Sequence, residues 1–150
     1  MSMKIYIGSD HNGYKYKQQI IDYLRTAKYE VINVGDKVLD PNDDFPKFAS
    51  QVVDKLLSGG SEDKAILICG SGQGMCMAAN RFKGIRASLC WNVSEAFDSR
   101  NDDDSNVLCL SAHQLTYDQI KPIISSYLST QFAGAPRYIR RIKQLDQLGT

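Results

Sequence analysis

The chain lacks almost every feature that would tie it to a membrane, a nucleic acid or an oxidising compartment. Its longest apolar runs are a few residues, too short to span a bilayer. The opening MSMKIYIG already alternates like a strand and has no long apolar core of a signal peptide. The balance of charge is near zero, +1 over 150 residues, and no basic run carries interleaved aromatics, which argues against nucleic acid as a partner. Cys69, Cys76, Cys90 and Cys109 form no C-x-x-C pair; they are expected to be buried thiols, at most one of them reactive, in a reducing cytoplasm. Repeats, low-complexity tracts and linkers are also missing, so one domain over 1–150 is expected.

What is present is an alternation of short apolar runs with longer helical ones. KIYIG (4–8), EVINVG (30–35), KAILIC (64–69), RASLCW (86–91) and NVLCLS (106–111) have strand character. Helical spacing marks residues 14–28, 45–59, the MCMAANRF stretch after GSGQG, a short helix over 93–99, and residues 116–131 and 137–148. The pattern predicts an α/β fold: a three-layer, doubly wound, five-stranded parallel sheet of Rossmann-like form with a C-terminal helix. KAILIC, the most apolar strand, is expected at the centre. Ligands of such sheets bind beyond the carboxyl ends of the strands. Three polar stretches are expected there: SDHNG, GSGQG and NDDDS.

GSGQG fails the tests for familiar nucleotide loops. G-x-G-x-x-G would need glycine where Met75 stands, and the P-loop-like frame Gly8-x4-Gly13 is followed by Tyr14 instead of lysine. What remains is a flexible turn into a helix N-terminus, able to hold an anion or a developing oxyanion. A tight strand-to-helix turn is the plainer explanation, but three glycines in five residues exceed what one turn requires. Cys69 ends the central strand just before it, where a thiol can act as base or nucleophile. Asp10 and His11 follow the first strand; they either do acid–base and phosphate-binding work, or Asp10 caps a helix near Asn12, or both. Arg137 and Arg141 share a helical face and can grip a phosphate, although a solvated basic face is the commoner reason for such spacing. His113, beyond the fifth strand, reads on its own as a surface residue. Asp102, Asp103 and Asp104 form an acidic run that is a poor metal site if it lies in an extended loop, because consecutive side chains diverge.

In this order, IGSDHNGYKYK, DDFPKFA, ILICGSGQGMCMAANRFKGIRA, SRNDDDSNVL and RYIRR resemble the ribose-5-phosphate isomerase B family, which includes galactose-6-phosphate isomerase subunits. The resemblance runs from Lys4 to Leu145. It implies aldose–ketose isomerisation of a sugar phosphate, by default ribose 5-phosphate to ribulose 5-phosphate, through a cis-enediolate without metal or cofactor. It implies Cys69 as the base, with the backbone of Gly70, Ser71, Gly72, Gly74 and Met75 stabilising the enediolate oxygen and Ser71 assisting. His11, Arg137 and Arg141 would bind phosphate and Asp10 the sugar. It further implies a homodimer with shared sites, with pairing into tetramers left open.

Departures from the family pattern cluster in one half of the site. Where relatives read S-R-x-His-Asn, this chain has Asp102 and Asp103 at the ring-opening and substrate-contacting positions. His113 stands where many relatives place a further phosphate arginine, Phe45 where a tyrosine is usual, and Tyr138 where the tail often has histidine. Three alternatives follow: Asp102 takes over ring opening; the substrate is a tetrose 4-phosphate or hexose 6-phosphate; or the protein binds phosphosugars with weak catalysis.

Overall fold

The computed structural model describes residues 2–149. Strands β1 (Lys4–Ser9), β2 (Glu30–Asn33), β3 (Lys64–Cys69), β4 (Ala87–Leu89) and β5 (Val107–Ser111) make one parallel sheet in the order β2-β1-β3-β5-β4. Helices α1 (Tyr14–Thr26), α2 (Phe45–Leu57), α3 (Gln73–Ala79), α4 (Val93–Asp103), α5 (Tyr117–Ser129) and α6 (Pro136–Leu145) connect and cover it. The expected doubly wound α/β sheet with a C-terminal helix is therefore what forms. No helix among the described residues is long and apolar enough to cross a membrane.

The two-residue period of the strands divides the core. Ile5, Ile7, Ile66, Ile68, Leu108 and Leu110 face one side, where Ile20, Ile21 and Leu24 of α1 and Ile120, Ile123 and Ile124 of α5 cover them. Tyr6, Ala65, Leu67, Val107 and Cys109 face the other, against Phe48, Val52 and Val53 of α2 and Met75 and Ala79 of α3. β3 is buried at all six positions, which is why its sequence is apolar without alternation. β1 has β2 on one side and β3 on the other. The chain reverses its winding between β1 and β3, and the crevice beyond their carboxyl ends is the topological switch point.

Two elements differ from expectation. β4 is three residues long, not six, although the Cys90 N–H still reaches the Cys109 carbonyl at 3.2 Å. α4 does not stop near Ser99 but continues through Asp103. Carboxylates in a last helical turn oppose the helix dipole at a cost of ~0.3–1 kcal/mol each, which favours an earlier end. Two arginines reverse the balance. Arg86 donates from Nε to the carbonyls of Asp103 and Asp104 at 3.0 and 3.1 Å, and from Nη2 to that of Asp104 at 2.9 Å. Buried Arg100 donates to the Asp104 carboxylate at 2.7 Å and to the Ser105 carbonyl at 2.6 Å. Asp104 then ends the helix in the left-handed region (φ 48°). The acidic run is thus a helix end and not an extended loop.

The position of that run also corrects the sequence reading. SDHNG and GSGQG leave the carboxyl ends of β1 and β3, as expected, but NDDDS enters β5 and lies at the amino ends. There the Asn106 carbonyl accepts the Ala65 N–H at 3.0 Å, beside the start of β3.

Candidate active site

Cys69 is the last residue of β3 and is buried, 5% exposed. The chain turns immediately, because Gly72 caps α3 with φ +76°, a conformation that L side chains avoid. A Cβ on Gly72 would also lie 2.5 Å from Leu89 Cδ1. Gly74 is required for a different reason: a Cβ there would stand 2.6 Å from Cζ of Phe45, whose ring packs over the start of α3. The turn is fastened to β5 through the Gly70 carbonyl, which accepts the Ser111 hydroxyl at 2.8 Å and the His113 N–H at 2.9 Å. Ser71 is exposed and its Oγ accepts the Gln73 N–H at 3.2 Å. The Met75 side chain is fully buried in the core, so only its backbone N–H is available to a ligand. Within the helix Cys76 is the first residue whose N–H bonds four residues back, to Gly72. The N–H groups of Gly74 and Met75 precede it and have no such intrahelical partner.

Across the switch point, Asp10 caps a 3₁₀ turn (His11–Gly13), accepting the N–H groups of Asn12 and Gly13 at 3.0 and 3.2 Å. The capping role weighed from sequence is present. Burial raises the Asp10 pKa against the lowering pull of these amides and of His11. The His11 ring donates from Nδ1 to Asp43 Oδ1 at 2.7 Å, and that oxygen also accepts the His11 backbone N–H at 3.0 Å. This hydrogen bond raises the His11 pKa, helped by Asp10 and Asp40 and opposed by partial burial. Asp43 was not among the residues singled out from sequence; no local spacing joins it to a histidine 32 residues away. His113 belongs here as well, its ring packed where a Cβ on Gly70 would be, 2.8 Å from Cε1, with Asn12 Nδ2 at 3.3 Å from the same point.

The cysteines differ in character. Cys90 and Cys109 are buried as expected, and burial pushes the Cys90 thiol up to about 12. Cys76 is only partly buried and departs from the inert reading: its hydrogen bond with Cys109 lowers its pKa to about 7.

The remaining candidates lie elsewhere. Asp102 and Asp103 end α4 at the amino edge of the sheet, with Asp102 Oδ1 accepting the Asn101 side-chain amide at 2.8 Å. Burial and the adjacent Asp102 raise the Asp103 pKa, against the attraction of Arg141 and Arg86. Arg141 of α6 is thus near Asp103. Arg137 stacks on the Tyr138 ring, 4.4 Å from its centroid, and donates to its hydroxyl at 3.0 Å. α6 begins at Pro136, whose ring suits the first helical turn, and buries none of its residues fully. β3 alone separates the two groups by roughly 17 Å at about 3.3 Å per residue. Within one chain, then, Cys69, the glycine turn, Asp10, His11 and His113 are brought together, and Asp102, Asp103, Arg137 and Arg141 are not.

A thiol at a strand end, a glycine turn opening a helix N-terminus and a protonatable imidazole could serve proton transfer beside the carbonyl of an anionic substrate. Comparison with known proteins identifies the family. The Ribose/Galactose Isomerase family model matches residues 5–145. A protein named probable ribose-5-phosphate isomerase B from Mycoplasma genitalium is 41% identical, over 97% of this chain and 95% of its own length. The ribose-5-phosphate isomerase B of Escherichia coli is 37% identical over 97% and 95%. The crystal structure of the Mycoplasma genitalium enzyme with bound ribulose-5-phosphate superposes with a TM-score of 0.93 at 40% identity, covering 97% of this chain and 95% of that one. The Thermotoga maritima enzyme superposes with a TM-score of 0.92 at 35% identity, covering 99% and 100%. Motif order, sheet topology and near-complete coverage agree, and the chain belongs to the ribose/galactose isomerase family.

Proposed function

We propose that the protein interconverts ribose 5-phosphate and ribulose 5-phosphate. In the open-chain aldose, the Cys69 thiolate takes the proton from C2 and charge passes to the C1 oxygen, giving a cis-enediolate. The thiol returns its proton to C1, and the hydroxyl proton moves from O2 to O1, leaving the ketose. The backbone amides of Gly70, Ser71, Gly72, Gly74 and Met75 surround the developing oxyanion, which preorganised amides stabilise strongly away from water. Ser71 hydrogen-bonds the substrate oxygens, Asp10 the sugar, and His11 the phosphate, with His113 beside the glycine turn. The observation that carries this reading is the placement of Cys69 at the switch point, three residues before the left-handed Gly72 that caps α3 and opposite Asp10–His11.

Arg137 and Arg141 reach a phosphate, and Asp102 and Asp103 a sugar, only in the site of a second copy. A homodimer in which the amino edge of one sheet meets the carboxyl edge of the other supplies both halves. The exposed Ile139 and Leu145 of the amphipathic α6 support such pairing. In it Asp102 takes the place of the ring-opening histidine.

The test is turnover of tetrose 4-, pentose 5- and hexose 6-phosphates by the wild type and by Cys69→Ala. Ribose 5-phosphate is expected to be the best substrate, and Cys69→Ala to lose at least about 10³-fold in kcat. Faster turnover of a tetrose 4-phosphate, which cannot close a furanose ring, would replace the ribose assignment with a substrate needing no ring opening. Binding of ribose 5-phosphate without solvent-deuterium exchange at C2 would indicate a phosphosugar-binding protein instead.

A further inference from the structure

We propose that Asp43 is a positioning residue for phosphate recognition, its shielded carboxylate holding the His11 imidazole so that Nε2–H faces the substrate phosphate. The inference rests on the phosphate-binding reading of His11 given above. Its geometric basis is a two-point clamp. Asp43 Oδ1 accepts both the backbone N–H and the ring Nδ1–H of the same residue, at 3.0 and 2.7 Å. The Asp43 side chain is 8% exposed, whereas that of His11 is 31% exposed, so the anion is sheltered and the ring is open to a ligand. An ionised carboxylate only accepts hydrogen bonds, so Nδ1 must carry a proton, and once the ring is the imidazolium Nε2–H is the second donor, turned to a ligand.

The loop that bears Asp43 is itself held from below. Fully buried Lys17 donates to the Asp36 carbonyl at 2.7 Å and to Asn33 Oδ1 at 3.0 Å. Asp40 accepts the Asn42 N–H at 2.9 Å and, through its carbonyl, the Asp43 N–H at 3.3 Å. Among the described residues of one chain, the charges that act on His11 are Asp10 at the end of β1 and Asp40 and Asp43 on this loop, all anionic; Arg137 and Arg141 of the second copy in the proposed dimer face it across the phosphate. Asp10, His11 and Asp43 bring possible metal-ligand atoms within 4.8 Å of one another. Asp10 Oδ1, however, is taken by two amides and Nδ1 by Asp43, so a proton already bridges the cluster.

The chemical consequence is a wider working range. A phosphate monoester becomes dianionic above about pH 6, while an ordinary imidazole loses its charge near 6.5. The interval in which both charges are complete is otherwise almost nil. With an anion at Nδ1 the imidazolium persists upward in pH, where the phosphate is fully charged.

The chain has only two histidines, so NMR titration of His11 is directly assignable with His113→Gln as a reference. Asp43→Asn keeps the accepting oxygen and removes the charge. In that variant His11 is expected to titrate below its wild-type value, because the carboxylate charge at Nδ1 is gone. KM for ribose 5-phosphate should rise about fivefold or more at pH 8 and less than about twofold at pH 6, with the larger effect on KM than on kcat. Unchanged titration of His11 in Asp43→Asn would overturn the proposal. The wild type gives a second readout that needs no variant: once neutral, His11 should hold its proton on Nδ1, and a neutral Nε2–H tautomer would equally overturn it. Failure of the underlying reading is separable, since His11→Gln would then leave KM unchanged at both pH values whatever Asp43 does to the ring.

Discussion

If the two halves of each site come from different subunits, two inactive proteins must be able to repair one another. Cys69→Ala removes the proposed base at the carboxyl end of β3, and Arg137→Ala with Arg141→Ala removes two cations of α6. Hydrogen bonds to charged groups are worth about 1.5–3 kcal/mol each, so the double arginine variant should lose roughly 10²–10⁴-fold in kcat/KM. The distance argument sets the rest. β5 starts beside the start of β3, with Val107 opposite Ala65, and Cys69 lies four residues further along. At about 3.3 Å per residue, a site containing Cys69 and the α4–α6 edge of the same chain is out of reach for a five-carbon phosphate. When the two variants are unfolded and refolded together at equal concentration, random pairing makes half of the dimers hybrids. Each hybrid has one site with both defects and one with none, so the mixture should recover about 25% of wild-type activity. The hybrid carries one double-arginine chain and separates from both parents by ion exchange, which allows its activity to be measured alone. A purified hybrid no more active than its parents would refute the shared site, and with it the assignment of Arg137 and Arg141 to phosphate.

Three further expectations concern the scaffold. Gly72→Ala forces a Cβ into a left-handed residue and against Leu89; a loss of about 2–3 kcal/mol is expected, seen as a fall in Tm of roughly 5–10 °C together with reduced kcat. Arg100→Met removes the 7%-exposed guanidinium from Asp104, Ser105 and Thr130. It should cost about 3–5 kcal/mol in denaturant unfolding, and a neutral result would mean that α4 ends without its help. Asp63 accepts the N–H groups of Lys4 and Gly60 at 2.9 Å each and the Tyr6 hydroxyl at 3.3 Å. Burial works to raise its pKa, but these bonds outweigh it and the net shift is downward. Its contribution is complete above the unfolded carboxylate value of about 3.9 and is lost as pH falls through the lower folded value. Asp63→Asn should therefore flatten the acid limb of a stability–pH profile without changing its neutral plateau by the same amount.

Most of the sheet was legible because its signals are local. Ile66 and Ile68 alternate with Ala65, Leu67 and Cys69, and each set finds a helix face that its own period had already marked. Cys69 could be singled out for the same reason: a strand end and a glycine turn are adjacent in sequence. What could not be read depends on partners far along the chain. The length of α4 is decided by Arg86, which precedes the helix by a strand and a turn, and by the anchoring of Arg100. Asp43 meets His11 only after β2 has paired with β1 and Lys17 has drawn the intervening loop down.

The acidic run illustrates how both kinds of information combine. The proposal puts Asp102 and Asp103 at the ring-opening and sugar-contacting positions, yet in one chain they stand at the opposite end of the sheet from Cys69. Their neighbours account for the cost of keeping them there. Arg86 and Arg100 secure the helix end through backbone carbonyls and Asp104, which leaves the Asp102 and Asp103 carboxylates outside that anchoring network. Arg141 of the tail draws on Asp103 electrostatically. A carboxylate beside a phosphate-binding cation weakens it for the phosphate unless the carboxylate is neutral or bound to a sugar hydroxyl. Burial and Asp102 both push Asp103 towards the neutral form, which is what an aspartate in the proposed sugar-contacting position beside Arg141 requires.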